Sequence, residues 1–131
     1  QTAKSYVYST PAPPALSATL SASLKLIAQA DALRSHLYGL IAYFKAHLSC
    51  QKWRLMPSDT SVQPLIVGSN QAALALSAYL QATGILVPAI RPPTVPAGTA
   101  RLRISISAAH SLEDIQKLLQ AIHQAERELP L

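Results

Sequence analysis

The stretch LRISIS at positions 102–107 constrains the fold of this chain more than any other. Apolar and polar residues alternate strictly there, and successive side chains of a β-strand point to opposite faces. Leu102, Ile104 and Ile106 are therefore predicted to face a core. The opposite face is predicted to carry Arg101, Arg103, Ser105 and Ser107.

Two further strands are predicted at 62–67 (VQPLIV) and 85–90 (ILVPAI), and each contains a proline, Pro64 or Pro88. Proline lacks an N–H group, so in sheets it is confined to edges, strand starts and bulges. The proline-free strand at 102–107 is therefore predicted to be central. A right-handed crossover between the first two strands leaves a gap for an antiparallel third strand, which gives the order 1-3-2.

Helices are predicted from apolar residues spaced three or four apart. The first runs from about residue 15 to 48, as one long helix or two abutting ones. The second covers 71–83, and Gly84 follows it at the position that favours a left-handed backbone. Ser111 is predicted to cap the last helix, with an acidic residue three positions on, and Pro130 to end it.

The element order is thus a helical segment followed by β-α-β-β-α, which predicts an α+β fold. Its three-stranded, mainly antiparallel sheet is expected to carry the helices on one face. Residues 1–50 are predicted to form a connecting segment, extended over the first eight residues and then helical. Residues 51–131 are predicted to form a small α+β domain, and the connector within them leaves open a further short strand near 53–56.

The composition indicates surfaces that pack against other protein. Half of the residues are hydrophobic and 13% are charged, against about 25% charged residues in a typical globular chain. The chain opens without methionine, so we expect it to belong to a longer polypeptide, whose helical segment packs on a large domain outside this sequence. No apolar run approaches the roughly 18 residues that a membrane-spanning helix needs, so no membrane partner is predicted.

The charged and metal-binding residue types exclude several functions. The net charge is +5, but the basic residues are scattered rather than clustered in a stripe, so no nucleic-acid partner is predicted. Cys50 is the single cysteine, which rules out an internal disulfide and suits a reducing cytoplasm. The four histidines lack ligand spacing, so no metal site is predicted.

The arginines of the last strand lie beside a loop stiffened by proline, which also carries Arg91 and Thr94. A guanidinium group binds carboxylates and phosphates through two parallel hydrogen bonds, and a rigid support lowers the cost of ordering it. This pattern favours an anion-binding site at Arg101 or Arg103. Ordinary solvated arginines on a wet sheet face remain the alternative.

The stretch RPPTVPAGTARLRISISAAHSLEDIQKLL at 91–119 resembles the C-terminal motif of the α-oxoamine synthases. YVYSTPAPPALSATLSASLKLI at 6–27 and VQPLIVGSNQ at 62–71 fit the same family. The resemblance covers nearly the whole chain and is weakest at 45–61. The arginine and second proline of IRPPTVP favour the branch of the family that joins L-alanine to a pimeloyl thioester.

The resemblance implies a pyridoxal-phosphate (PLP) enzyme with the aspartate-aminotransferase fold, working as a cytoplasmic homodimer in biotin synthesis. L-alanine would react with pimeloyl-CoA or a pimeloyl-carrier protein and lose CO2. By resemblance, Arg103 holds the carboxylate of the amino acid, Thr94 lines the acyl site, and Arg91 is a second basic group there. Ser9 and Thr10 would contact the cofactor phosphate of the partner subunit.

The family's PLP-binding lysine stands in a GK motif before the segment that matches Gln1, and Lys4 lacks that context. The resemblance therefore implies a C-terminal third with no catalytic residue of its own and no cofactor bound to this chain alone. Two alternatives within the family stay open, a 2-amino-3-ketobutyrate CoA ligase and a 5-aminolevulinate synthase. Outside it, a ferredoxin-like regulatory module and a helical adaptor that docks through 15–48 also stay open.

Overall fold

The computed structural model describes residues 2–7 and 12–130 of the chain. These form two compact units, one up to Ala32 and one from Leu33 onward. The helices are α1 (Lys4–Val7), α2 (Pro14–Ala28), α3 (Asp31–His47), α4 (Asn70–Ala82) and α5 (Leu112–Glu128). The strands are β1 (Arg54–Leu55), β2 (Val62–Gly68), β3 (Ala89–Ile90) and β4 (Ala100–Ser105).

The first unit contains α1 and α2. The extended backbone expected over the first eight residues is wrong at Lys4–Val7, where Val7 N donates to Ala3 O at 3.1 Å and closes a helical turn. A local bond of this kind satisfies backbone groups that a strand would have to pair with another strand. Helix α2 begins on Pro14, whose fixed φ suits the first helical position. It buries none of its residues within the structure.

The sheet of the second unit has four antiparallel strands in the order β1-β2-β4-β3. The predicted three-stranded sheet is therefore wrong, although the strands it counted follow one another as β2-β4-β3. The additional strand, β1, pairs Arg54 with Ile66 and Leu55 with Leu65. Two residues are too few for an alternation of apolar and polar side chains to be recognisable in the sequence.

The prolines explain why both outer strands are short. Met56 N donates to Pro64 O at 2.9 Å, but Pro64 has no N–H to return, and β1 ends at Leu55. On the other side, Pro88 accepts from Arg103 N at 2.9 Å without donating. Regular pairing in β3 is thus confined to Ala89–Ile90 instead of the predicted 85–90.

The face of the sheet that the helices cover forms the core. Leu65 and Leu102 are 0% exposed and Ile104 is 2% exposed, as the alternation predicted for β4. The compact unit starts at Leu33 because α3 contributes to this core. The boundary predicted after residue 50 concerns an assembled enzyme and stays a prediction. The largest core side chains from the helices are Leu40, Ile41, Phe44, Leu76, Leu80, Ile115, Leu118, Leu119 and Ile122.

The predicted helix ends are confirmed by their capping contacts. Ser69 Oγ accepts from Ala72 N at 3.0 Å at the start of α4, and Gly84 has a φ of +83° after its end. At the start of α5, Asp114 N donates to Ser111 Oγ at 3.1 Å and Ser111 N donates to Asp114 Oδ2 at 2.8 Å. These bonds satisfy amide groups that a helix start otherwise leaves without partners.

Within the described ranges, no helix combines the length and the apolar character that crossing a membrane would require.

Candidate functional site

The side of the sheet away from the helices carries Arg101 and Arg103, and we call it the open face. Strand register places residues of different strands side by side on it. Ile66 of β2 and Ile90 of β3 flank Arg101 of β4, and Pro64 lies beside Arg103. The open face comprises Arg54, Val62, Pro64, Ile66, Ile90, Arg101, Arg103 and Ser105.

Arg103 presents its side chain to solvent from the middle of this face. Its backbone N donates to Pro88 O at 2.9 Å and its Cα partner on the other side is Pro64, so neighbours on both sides fix its backbone. The side chain is exposed. Within residues 2–7 and 12–130, no hydrogen bond or ion pair is formed by its guanidinium group. Arg103 therefore combines a backbone held on both sides with five guanidinium N–H donors that bond to no described residue.

Arg101 lies two residues away on the same face but its guanidinium group is engaged. Nε donates to Thr99 O at 3.0 Å and Nη2 donates to Thr99 Oγ1 at 3.0 Å. Nη1 lies 3.0 Å from Met56 Sδ, and the side chain is half-buried. The alternation in the sequence places Arg101 and Arg103 on the same face of the sheet. Because the guanidinium group of Arg101 is already engaged, Arg103 is the one of these two residues that is available for a ligand.

The loop at 91–99 is built from two turns. Thr94 N donates to Arg91 O at 3.0 Å in the first, and Thr99 N donates to Pro96 O at 3.2 Å in the second. Gly98 follows Pro96 with a φ of +76°, a conformation that glycine adopts without steric cost. The side chains of Arg91 and Thr94 are exposed.

Of the predicted substrate residues, Arg103 lies on β4, and Arg91 and Thr94 lie in the loop that follows β3. Ile90 pairs with Arg101, so Arg91 and Arg103 are three positions apart along the strands, or about 10 Å at 3.3 Å per residue. Thr94 lies in the turn that begins at Arg91. A ligand that contacted all of them would have to span this separation, as an elongated molecule does. Ser9 and Thr10 lie outside the described residues.

Sequence reasoning missed two residues on or beside the open face. Arg54 of β1 pairs with Ile66 of β2, which in turn pairs with Arg101 of β4, so the three residues form one row across the open face. Arg54 is exposed. Met56 follows β1 and contacts Arg101. Both depend on the pairing of β1, which is too short to leave a periodic signal in the sequence.

Two histidines away from the open face are held in structural contacts. His36 Nε2 lies 2.9 Å from His110 O, and Ser49 N donates to His123 Nε2 at 3.2 Å. Burial raises the pKa of Cys50 to about 11, and the nearby charge of Glu126 adds to the effect. In the part of the chain that the structure describes, no three His, Cys, Asp or Glu side chains come together as metal ligands would.

A family model described as aminotransferase class I and II matches residues 1–122. The chain belongs to this family. The match runs through both compact units and the open face, so it accounts for the α+β fold and for the helices before it. A regulatory module built on residues 51–131 alone would not account for the matched N-terminal part.

Named relatives refine the family assignment. The chain is 51% identical over 126 residues to an 8-amino-7-oxononanoate synthase of Aromatoleum aromaticum, across 96% of this chain and 33% of that protein. The chain thus spans about a third of the length of the curated relatives it matches.

Solved structures support the same fold. A serine palmitoyltransferase variant from S. paucimobilis with a bound PLP–myriocin aldimine is 28% identical, with a TM-score of 0.80 across 92% of this chain and 31% of that one. An 8-amino-7-oxononanoate synthase from Francisella tularensis shares the fold at 24% identity, with a TM-score of 0.75 across 97% of this chain and 37% of that one.

Proposed function

We propose that this chain is part of a PLP-dependent 8-amino-7-oxononanoate synthase. The full enzyme would join L-alanine to the pimeloyl group of pimeloyl-CoA or of a pimeloyl-carrier protein, with loss of CO2, in biotin synthesis. The similarity to an enzyme of that name over 96% of the chain supports this choice among the α-oxoamine synthases. The single observation that carries the site is the unengaged guanidinium group of Arg103 on the open face.

Arg103 is proposed to hold the carboxylate of L-alanine. Its planar fork can donate two parallel hydrogen bonds to the two carboxylate oxygens, which fixes both the position and the orientation of the amino acid. The backbone contacts with Pro88 and the pairing with Pro64 hold the strand in place. Because the backbone is already fixed, only the side chain of Arg103 has to be ordered on binding.

The loop is proposed to serve the acyl substrate. Thr94 offers a hydroxyl group that can donate to or accept from a thioester oxygen, and Arg91 offers a cation at the first position of the same loop. The separation of about 10 Å between Arg91 and Arg103, at 3.3 Å per strand residue, suits a pair of substrates bound side by side. One is a short amino acid and the other carries a long dicarboxylic acyl chain.

The residues of this chain fit the substrate side of a PLP site. When bound, PLP would supply an electron sink for the α-carbon of the amino acid. Arg103 would orient that amino acid through its carboxylate. Two lysines of this chain already have partners other than a cofactor. Lys52 Nζ donates to Glu126 O at 2.8 Å, and Lys117 Nζ lies 3.2 Å from a carboxylate oxygen of Glu113.

The assembly of the enzyme is part of the same proposal. A cytoplasmic homodimer would bring Ser9 and Thr10 to the cofactor phosphate of the partner subunit. Residues 1–50 would pack on a large domain, and residues 51–131 would form the small domain. The exposure of Leu20 (56%) and Leu24 (66%) on α2 supports a covering partner for that helix, because a row of apolar side chains on a helix is stabilised when other protein covers it.

The test of the proposed function is a matrix of substrates with the full-length protein. L-alanine, glycine and L-serine are each combined with pimeloyl-CoA, acetyl-CoA, succinyl-CoA and palmitoyl-CoA, and the condensed products are identified by mass spectrometry. We expect L-alanine with pimeloyl-CoA to give the highest kcat/KM. A preference for glycine or serine with another acyl group would assign the chain to a different α-oxoamine synthase. No condensation with any pair would contradict the proposal.

A further inference from the structure

The side chain of Arg101 connects the end of the loop to the opposite edge of the sheet. Two of its nitrogens donate to Thr99, one to the backbone O and one to Oγ1, each at 3.0 Å. The third nitrogen reaches Met56 Sδ at 3.0 Å, and Met56 directly follows the edge strand β1. The side chain of Arg101 therefore reaches across strand β2. It joins Met56 to Thr99, which are far apart in the sequence.

Thr99 transmits this contact into the loop. Its hydroxyl group accepts from Arg101 Nη2 and donates to Pro96 O at 2.7 Å, which uses its donor and one acceptor position. Its backbone N also donates to Pro96 O, at 3.2 Å. The turn at 96–99 is thus fixed from one side by its own bonds and from the other by Arg101.

Arg101 holds the loop at both ends. Its backbone lies opposite Ile90, the last residue before the loop, and its side chain holds Thr99, the last residue within it. Between these two points, the loop residues Pro93, Thr94 and Ala97 are exposed. A segment that packs few side chains depends on such anchors to keep one conformation.

We propose that Arg101 is a positioning residue, a clamp that fixes the loop at 91–99 and so sets where Thr94 and Arg91 stand relative to Arg103. The clamp itself follows from the contacts, and its effect on the reaction rests on the proposed role of the loop in binding the acyl substrate. Thr99 O, Thr99 Oγ1 and Met56 Sδ all belong to uncharged groups. The contacts therefore depend on the guanidinium group presenting its three nitrogens in fixed directions. Lysine at this position would keep the charge but lose that shape.

The clamp is tested by amide hydrogen exchange in the full-length protein, measured on peptides that cover 91–99. Arg101→Ala, Arg101→Lys and Thr99→Val each remove at least one of the fixing bonds. We expect each to speed exchange in the loop by about tenfold, as the loss of a charge-assisted hydrogen bond does. Thr99→Val also keeps the arginine, which separates the clamp from an effect of charge.

Arg54→Ala is the matched control, because Arg54 carries the same charge in the same row of the open face without contacting the loop. In Arg54→Ala, the amide hydrogens of the loop at 91–99 should exchange at the same rate as in the parent protein. Unchanged exchange in Arg101→Ala, or full recovery in Arg101→Lys, would overturn the clamp.

Steady-state kinetics on the same variants separate the clamp from the proposed function. We expect Arg101→Ala and Thr99→Val to raise KM for the acyl thioester and to leave KM for L-alanine unchanged. Faster loop exchange with both KM values unchanged would uphold the clamp and remove Thr94 and Arg91 from the substrate site. A raised KM for L-alanine with an unchanged loop would make Arg101 a direct ligand and overturn the proposal.

Discussion

The two faces of the sheet differ in what their side chains touch. On the covered face, Leu65 and Leu102 are 0% exposed and pack against α3, α4 and α5. On the open face, Arg103 is exposed and its guanidinium group forms no hydrogen bond or ion pair with another described residue. The same strand, β4, therefore supplies the core with one set of side chains and the candidate site with the other. Stability is thereby assigned to the covered residues of this strand, and the proposed ligand binding to a residue that alternates with them.

This division teaches that neighbouring substitutions on β4 should have effects of different kinds. A change on the covered face removes packing and lowers the free energy of unfolding. A change at Arg103 on the open face is expected to leave the packing intact and to affect binding. The following measurements can break or sharpen that contrast.

The largest effect is expected at Leu102. Leu102→Ala should lower the free energy of unfolding by about 2–5 kcal/mol, because it leaves a cavity among fully buried side chains. Urea denaturation followed by circular dichroism measures it. Ser105→Ala, on the open face of the same strand, is the control and should change the value by less than about 0.5 kcal/mol. Equal effects of the two substitutions would remove the distinction between the faces.

The chemical reactivity of Cys50 sharpens the contrast at the margin of the core. Burial, with the charge of Glu126, raises its pKa from 9.0 to about 11. The thiolate is the reactive form, so alkylation by iodoacetamide at about pH 8 should be about a hundredfold slower than in the urea-unfolded chain. Mass spectrometry against time gives both rates. Equal rates would show that Cys50 is not shielded in the folded protein.

A smaller effect is expected from the cap of α5. Ser111→Ala removes the acceptor for Asp114 N and should lower the free energy of unfolding by about 1 kcal/mol, the usual cost of losing an N-cap. The helix supplies core side chains but no residue to the open face, so binding should be unaffected. Urea denaturation and a substrate titration with the full-length protein test the two halves of this expectation. A change in binding without a change in stability would contradict it.

The smallest effect is a pH dependence of the same cap. Hydrogen bonds from the backbone N–H of Ser111 and then from its hydroxyl group hold the pKa of Asp114 below its ordinary value. The contribution of Asp114 to stability is therefore fully present above the ordinary carboxyl pKa and is lost as the pH falls through the lowered one. The difference in urea stability between the parent and Asp114→Ala should shrink below about pH 4. A difference that grew with acid would contradict this cause.

The sequence predicted those elements whose patterns are local. The alternation of β4 and the serine and glycine at the helix ends depend on neighbouring residues, and the structure contains them. The short strand left open near 53–56 is β1, but it was not counted in the predicted sheet because two residues carry no period. The strand expected at 85–90 was too long, because Ser77 Oγ donates to Val87 O at 2.6 Å and Ile85 N donates to Leu80 O at 2.9 Å. These bonds keep its first half out of the sheet.

The alternation predicted the strand that carries the candidate site, and only the resemblance singled out Arg103, whose role stays a proposal. Alternation puts Arg101 and Arg103 on the same face and does not by itself separate them. They differ because Arg101 donates to Thr99, two residues before it, and also reaches Met56, which the pairing of β1 with β2 brings close. A contact between residues 45 positions apart leaves no mark on a local pattern.

The central claim, that Arg103 is the ligand for the amino-acid carboxylate, is tested most directly by kcat/KM for L-alanine in the full-length enzyme. Arg103→Ala should lower it about thirtyfold or more, as the loss of one partner of a desolvated charge pair does. Arg103→Lys should recover only part of the loss, since an ammonium group lacks the planar fork. Arg54→Ala removes the same charge from the same face and should change it little. A loss in Arg103→Ala no larger than in Arg54→Ala would contradict the claim and leave Arg103 as an ordinary solvated arginine.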